Sequence, residues 1–428
     1  MKKLDLLTLG DELLLGLRPN AHLDYLGGEF ARHGLPLRRN IVVGDAPADI
    51  EAAFRDAWQS ADVIVTTGGL GPTSDDNTRE AIAQVLGLPL EFDPAVEAAI
   101  VERFARSGRR INDLDRKQCY RPRGAQPLRN RAGTAPGIYL EKDGKILVML
   151  PGPANELWPM FESEVLPRLQ TAGVLSSGEA YLQLRTAGVP ELHVEQRIRP
   201  IVDKYPGLGL AFCAHQGVVD VRIAPAARDF GPTQLQAIGD EMSAALGEDF
   251  VCFGHATLAQ VVLDELRARA ATLAVAESCT GGLLASALTD IPGASKIFLG
   301  GVVSYTDDAK LQMLDVPESL LDQHGPVSAE TAVAMVTGAA ERFGADYALS
   351  VTGLAGPEGG TKELPVGTVF LGYSSPVGAW SRKMFFSGDR LTVKARTVNA
   401  ALDWMRRKLL KYKVAELHAT GVGREAKP

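Results

Sequence analysis

Short apolar runs, each followed by a stretch of helical periodicity, most restrict what this chain can fold into. LDLLTL (4–9) reads as a strand, and a helix follows it with Asn20 as cap and Leu23, Leu26 and Phe30 on one face. NIVVG (40–44) comes next, then a helix presenting Ile50, Ala53, Phe54, Ala57 and Trp58, then DVIVTTGG (62–69). Strands separated by helices lie parallel in one sheet, so this part is α/β. GIYLEKDGKILVMLP (137–151) reads as a hairpin with Asp143-Gly144 in its tight turn.

The pattern changes twice further on. TAGVLSSGE (171–179) is small and polar, as a linker would be. Residues 180–253 read strand, helix (190–204), strand (208–213), strand (218–224), helix (232–246), strand (249–253), the order of a ferredoxin-like or KH-like α+β unit. A KH domain that clamps nucleic acid needs a GXXG loop, and none occurs here, so a structural spacer is expected. From His255 a third, α/β unit begins; it ends in a helix over about 391–411, whose Arg396, Arg406, Arg407 and Lys408 read as a solvated face. The expected domains are therefore 1–170, 171–253 and 254–428. A chain of 428 residues suits three domains at roughly 150 residues each.

Composition removes several function classes. With 45 Lys and Arg against 52 Asp and Glu, the net charge of −7 speaks against binding nucleic acid through bulk positive charge. The four cysteines stand far apart, without C-x-x-C pairs, which suits a reducing cytoplasm better than a disulfide framework. Asp5 and Asp11 interrupt what a signal peptide would need apolar. The longest uncharged segment, 364–381, carries Pro365, Pro376 and glycines, so no membrane span is expected.

Two glycine-rich constellations carry the chemistry. TTGGLGPTSDDNT (66–78) follows a strand and precedes a helix, where open α/β sheets bind ligands. Gly68, Gly69 and Gly71 allow close backbone approach, Thr73 adds a hydroxyl, and exposed N–H groups there receive phosphate oxygens. Asp75 and Asp76 offer hard oxygens to a divalent ion bridging a pyrophosphate. The same residues also suit a plain glycine turn before an acidic helix start. NRAGTAPG (130–137) and LPGPANELW (150–158) fall on loops of the same unit, and between Arg103 and Arg131 basic residues far outnumber acids, as around an anionic ligand. In the third unit, AESCTGG (276–282), DIPGASKIF (290–298), GGVVSYTDDAK (300–310), SVTGLAGPEGG (350–360) and FFSGDR (385–390) each lie at a strand end or helix start. Taken singly, Ser295 could cap a turn, Lys310 could lie on the surface and Ser278 could bond only backbone.

GDELLLG (10–16), GGLGPTSDD, GTAPG and LPGP together resemble the N-terminal half of the competence/damage-inducible CinA family, whose fold is similar to molybdopterin-binding proteins. The resemblance implies a metal-dependent ADP-ribose pyrophosphatase, with Asn20 in the phosphate site. Here GDELLLG is followed by Leu17-Arg18-Pro19-Asn20, where the family pattern has a longer loop ending Asp-Thr-Asn.

The five C-terminal segments resemble the CinA C-terminal domain, which is similar to nicotinamide mononucleotide deamidase, an enzyme that acts without a cofactor. Amide hydrolysis needs a nucleophile, a base and donors for the oxyanion. By resemblance Ser295 is the nucleophile and Lys310 the base, the amine kept neutral by burial. Ser278 and Tyr305 would complete a relay, and Thr352 with Gly353 would orient the ring or the oxyanion. Arg390 would meet the carboxamide region or the phosphate, and the N–H groups of Thr280, Gly281 and Gly282 would hold the 5′-phosphate. Cys279 reads as a small buried residue. The expected partners are nicotinamide mononucleotide and ADP-ribose, with a homodimer and contacts to recombination proteins implied by the family. The alternative function is a non-catalytic adaptor in DNA uptake or repair.

Overall fold

The computed structural model describes residues 2–225 and 230–419, of which 412–419 as backbone alone. The chain divides into two compact units, Met1–Tyr181 and Leu182–Pro428.

The first unit is a mixed sheet covered by helices. Its strands are β1 (Leu4–Leu9), β2 (Arg39–Val43), β3 (Val63–Thr67), β6 (Gln126–Leu128), β7 (Gly137–Lys142) and β8 (Lys145–Leu150), with β4 (Leu90–Phe92) and β5 (Tyr120–Pro122) forming a separate two-stranded ribbon. The sheet order is β2-β1-β3-β8-β7-β6, the first four parallel and the last two antiparallel. All six residues of β1 are buried, as expected of a central parallel strand covered on both faces. Asp5 among them is held by Arg38 at 2.8 Å and Arg39 at 2.7 Å. Burial alone would raise its carboxyl, but the two guanidinium groups hold it below its usual range. In the β7–β8 hairpin Asp143 (φ 54°) and Gly144 (φ 75°) both occupy the left-handed region that a two-residue turn requires.

The stretch expected as a linker belongs to this unit. Leu175 is buried against Leu169, and the N–H groups of Ser176 and Ala180 donate to His33 and Arg32 carbonyls at 2.9 and 2.7 Å. Its polar composition hid two hydrophobic anchors, Val174 and Leu175, and the compact unit runs on to Tyr181.

The second unit holds two sheets. β9 (Leu182–Ala187), β10 (Leu208–His215), β11 (Val218–Pro225) and β12 (Phe250–Phe253) are all antiparallel in the order β10-β11-β9-β12. The helices Glu191–Val202 and Pro232–Leu246 bury Val194, Ile198, Ile238 and Met242 in its core. This is the ferredoxin-like order that the sequence predicts. The other sheet contains β13 (Leu273–Glu277), β14 (Phe298–Val303), β15 (Tyr347–Gly353), β16 (Thr368–Ser375) and β17 (Gly378–Phe385), in the order β14-β13-β15-β16-β17. The first three strands are parallel and the last two antiparallel.

The final helix, Arg390–Ala419, departs from its expected solvated face. Arg406 is 1% exposed and donates to Asp403 (2.6 Å), the Phe250 carbonyl (2.8 Å) and the Glu248 carbonyl (2.6 Å). Arg407 reaches Asp403, Asp249 and the Ala187 carbonyl, each at 2.7 Å. Clustered basic residues look solvated in a sequence because their acceptors, here backbone carbonyls and carboxylates brought in from distant parts of the chain as well as Asp403, are invisible in it. Among the described residues no helix is long and apolar enough to cross a membrane.

Candidate functional site

In the second unit the chemistry gathers where β13, β14 and β15 end together. Glu277, the last residue of β13, lies beside Val303 of β14 and Val351 of β15. Ser278 therefore emerges between Ser304, which follows β14, and the last residues of β15. Its N–H donates to the Val351 carbonyl at 2.9 Å, and the Ser304 N–H donates to the Glu277 carbonyl at 2.8 Å. Lys310 lies in the first turn of the helix Asp307–Leu314 and is 1% exposed. Its Nζ lies 3.3 Å from the Ser304 carbonyl, 3.5 Å from the Thr306 carbonyl and 3.6 Å from Asp307 Oδ1. Burial pushes the amine below its ordinary range, against the opposing pull of Asp307.

Around this pair the remaining expected residues sort themselves. Arg390 donates to the Tyr305 hydroxyl at 2.6 Å and to the Gly356 carbonyl at 2.7 Å, so those two side chains meet. Thr352 donates its hydroxyl to the Pro326 carbonyl at 2.6 Å, and Gly353 is packed so closely that a Cβ would stand 2.8 Å from the Thr368 carbonyl; both hold the strand end in place. The hydroxyls of Thr280 and Ser304 are buried with no hydrogen-bond partner among the described residues. Cys279 is buried, which pushes its thiol up to about 12 and makes it a poor nucleophile.

Two expectations fail here. Ser295 is exposed on the short turn Ala294–Lys296 that enters β14, whereas Lys310 follows the exit of the same strand. Six residues at about 3.3 Å each separate the two edges by roughly 20 Å, so Ser295 and Lys310 do not meet. The pairing overlooked that a strand carries the chain from one edge of a sheet to the other. The 280–282 turn also loses two of the three N–H donors expected for a phosphate, those of Gly281 and Gly282. The buried carboxylate of Glu277 accepts from the N–H groups of Gly282 (3.0 Å), Leu284 (3.0 Å) and Ala285 (2.8 Å), and the Gly281 N–H donates to the Ser278 carbonyl (3.1 Å). The start of the helix Leu283–Thr289 is thus filled from within. An acid closing an apolar strand immediately before S-C-T-G-G was the signal available for it.

In the first unit the four expected segments do converge. A cavity of about 700 Å³ at the exits of β1, β3 and β8 is lined by Gly10, Glu12, Gly68, Gly69, Gly71, Thr73, Asp75, Asp76, Thr134, Pro151 and Gly152. Gly68, at φ 100°, comes so close to the Leu9 carbonyl that a Cβ would stand 2.6 Å from it. Asn20 is not part of this lining: it caps the helix Ala21–Arg32 at 3.1 Å through Leu23 and bonds Thr8 and Asn40. Arg18, where the family pattern departs, lines the cavity, as does His22, which the sequence reading missed. His22 bridges Thr67 (2.8 Å) and the Gly152 carbonyl (2.6 Å), and burial lowers its pKa. Asp76 accepts from the Thr73 N–H at 2.9 Å and from its hydroxyl, closing the turn. Much of the basic stretch is occupied by ion pairs: Arg109 with Asp115, Arg116 with Glu97, Arg121 with Asp93 and Arg123 with Glu91.

Among the described residues no three His, Cys, Asp or Glu side chains converge as a ready-made metal cage. Asp11 and Asp45 exchange hydrogen bonds (3.0 and 3.1 Å), and the Asp45 carboxyl is raised by burial and by the charges of Asp11, Glu12 and Asp75. Crowded carboxylates of this kind fit a hard divalent ion that arrives with phosphate oxygens and takes only one or two protein ligands.

Residues 5–171 match a probable molybdopterin binding domain, and residues 255–409 match the CinA C-terminal domain. A putative competence-damage inducible protein of Symbiobacterium thermophilum is 40% identical over 425 residues, 95% of this chain and 99% of its own length. The chain belongs to the CinA family. A CinA-like protein of Frankia casuarinae is 41% identical over 98% of the chain and 99% of its own length. A solved structure, the competence/damage inducible protein CihA from Agrobacterium tumefaciens, is 40% identical, covers 35% of this chain and 91% of its own, and has a TM-score of 0.34. Along the sequence, the strands of the ferredoxin-like sheet fall between the two matched regions.

Proposed function

We propose that the C-terminal region hydrolyses the carboxamide of nicotinamide mononucleotide, with Ser278 as nucleophile and Lys310 as base. The observation that carries this reading is an almost fully buried amine, held at the Ser304 carbonyl on the strand end next to the one that presents Ser278. Neutral Lys310 takes the Ser278 proton as the hydroxyl oxygen attacks the amide carbon. The tetrahedral intermediate collapses, the C–N bond breaks, and Lys310 returns the proton to the departing nitrogen, which leaves as ammonia. Water then attacks the acyl-serine, again losing its proton to Lys310; the Ser278–acyl bond breaks, nicotinate mononucleotide is released and the proton returns to Ser278. No cofactor enters this sequence. The Tyr305–Arg390 pair would serve as a substrate contact.

Ammonia release from nicotinamide mononucleotide tests the assignment. Ser278→Ala and Lys310→Ala should each lower the rate by about a thousandfold or more, as loss of a nucleophile or its base does. Ser295→Ala should leave the rate within about twofold. A dead Ser295→Ala with an active Ser278→Ala would overturn the reading.

The convergence of four segments on the 700 Å³ cavity supports a second activity in the first unit, metal-dependent cleavage of ADP-ribose to AMP and ribose 5-phosphate. Asp75, with Asp11 and Asp45 nearby, would hold the divalent ion, which would neutralise pyrophosphate charge. The glycine backbone and Arg18 would receive phosphate oxygens. Asp75→Asn should abolish AMP release, and a wild-type protein inert with magnesium, manganese and cobalt would refute this activity.

A further inference from the structure

With the N–H groups of Gly281 and Gly282 already taken, the turn after β13 is short of donors for the phosphate of a mononucleotide, and a cation nearby must supply the rest. Glu277 already satisfies the N–H groups of Gly282, Leu284 and Ala285, and its buried negative charge disfavours a second anion there. Across the same turn stands the start of the helix Arg390–Ala419. Arg390 and Lys394 are four residues apart on it and share a face. Lys394 Nζ lies 3.8 Å from the point where a Cβ on Gly281 would stand, so the glycine leaves room for the ammonium to overhang the turn.

The charge balance at this spot is one-sided. Among the described residues neither Lys394 nor Arg390 forms an ion pair with a carboxylate; Arg390 donates only to the Tyr305 hydroxyl and the Gly356 carbonyl. The nearest acid in sequence, Asp389, is turned to the Thr392 N–H at 2.8 Å. Lys394 thus stands over the turn that Ser278 opens. Ser278 and Gly281 are the two ends of one hydrogen-bonded turn, so their Cα atoms lie within about 7 Å. That span is of the order of the reach from a nicotinamide carboxamide across ribose to the 5′-phosphate.

We infer that Lys394, with Arg390, recognises the 5′-phosphate of the substrate and makes the site select the phosphorylated nucleoside. Lys394 is a specificity residue in this scheme and takes no part in the proton transfers. The inference rests on the deamidase reading of the site, and the test separates the two.

Full-length wild type, Lys394→Met and Lys394→Arg are compared on nicotinamide mononucleotide and on nicotinamide riboside, the same molecule without phosphate. Lys394→Met should raise KM for the mononucleotide about tenfold to a hundredfold, the range of one charge-assisted hydrogen bond, with kcat nearly unchanged. Its activity on the riboside should stay as in wild type, and Lys394→Arg should recover most of the loss. Equal losses on both substrates, or no loss on either, would overturn the role of Lys394. Calorimetric binding of the two ligands to the same proteins gives the answer without turnover. Wild type should bind the phosphorylated form at least about tenfold more tightly, and Lys394→Met should erase the difference. A wild type that binds with this preference but releases no ammonia refutes the deamidase reading and leaves the phosphate contact standing; a wild type that binds both forms equally refutes the contact.

Discussion

G-G-L-G after β3 and S-C-T-G-G after β13 are both glycine-rich turns at a strand end, yet the structure uses them in opposite ways. At Gly68–Gly71 the chain opens onto a 700 Å³ cavity, and the nearby Asp76 turns back to Thr73. At Gly281–Gly282 the same kind of turn is filled by the carboxylate of Glu277, which takes three backbone donors. A glycine-rich turn at a strand end is therefore a place where an anion belongs, and the protein itself supplies that anion in one of the two cases. Where the internal acid is present, the freed function is geometric: Glu277 fixes the turn that presents Ser278.

The contrast can be broken most forcefully at Glu277. Glu277→Ala strips the partner from one buried and two part-buried N–H groups, at about 1–3 kcal/mol for the buried one and less for the others, so the second unit should melt lower by roughly 5–10 °C in calorimetry. If the comparison holds, phosphate or sulfate at tens of millimolar should restore part of that loss, because the mutated turn then resembles its N-terminal counterpart. A melting point unchanged by the substitution would show that the carboxylate is not the anchor. Next in size is Gly68→Ala, whose Cβ would strike the Leu9 carbonyl at 2.6 Å in a φ 100° conformation. It should destabilise the first unit by about 2 kcal/mol or more. Gly281→Ala, at φ 61° and with only a mobile lysine tip nearby, should lose about 1 kcal/mol. Equal losses at the two glycines would remove the distinction between a close backbone approach and a plain left-handed turn.

The smallest effect sharpens the chemistry of the second site. Burial lowers the Lys310 pKa from 10.5 while Asp307 opposes the shift, and the neutral amine is the active form. The rate of deamidation should rise with pH through a limb lying below 10.5. Removing the opposing charge in Asp307→Asn should move that limb to lower pH, by roughly half a unit because Asp307 is half exposed and screened. Stability follows the same sign. Between the folded pKa and 10.5 the unfolded chain binds the extra proton, so this lysine's contribution to stability increases as pH rises through that window and is smallest below it. A limb that moves upward in the variant would contradict the assignment of Lys310 as base.

Periodicity made most of the architecture legible. LDLLTL, the Asp143-Gly144 hairpin and the six elements between 180 and 253 are fixed by local patterns of burial and turn chemistry, and they fold where those patterns point. What stayed hidden depends on partners distant in the chain. Arg406 and Arg407 look solvated until carbonyls from Glu248, Phe250 and Ala187 arrive beside them. Leu175 sits in a polar stretch and still docks on the first unit. The Ser295 error differs in kind, because residues flanking one strand always leave a sheet at opposite edges, and counting β14 would have exposed it. His22 carried no motif at all; only the convergence of Thr67 and Gly152 on its ring gives it a place in the cavity.

The Arg406 and Arg407 contacts also give the last helix a mechanical task. Sixteen residues at about 1.5 Å put roughly 24 Å between Arg390, which bonds Tyr305 and Gly356, and Arg406, bolted to the ferredoxin-like sheet. The helix is therefore a stiff rod, and a tilt of a few degrees at Arg390 would arrive at the sheet gripped by Arg406 as a displacement of about an ångström.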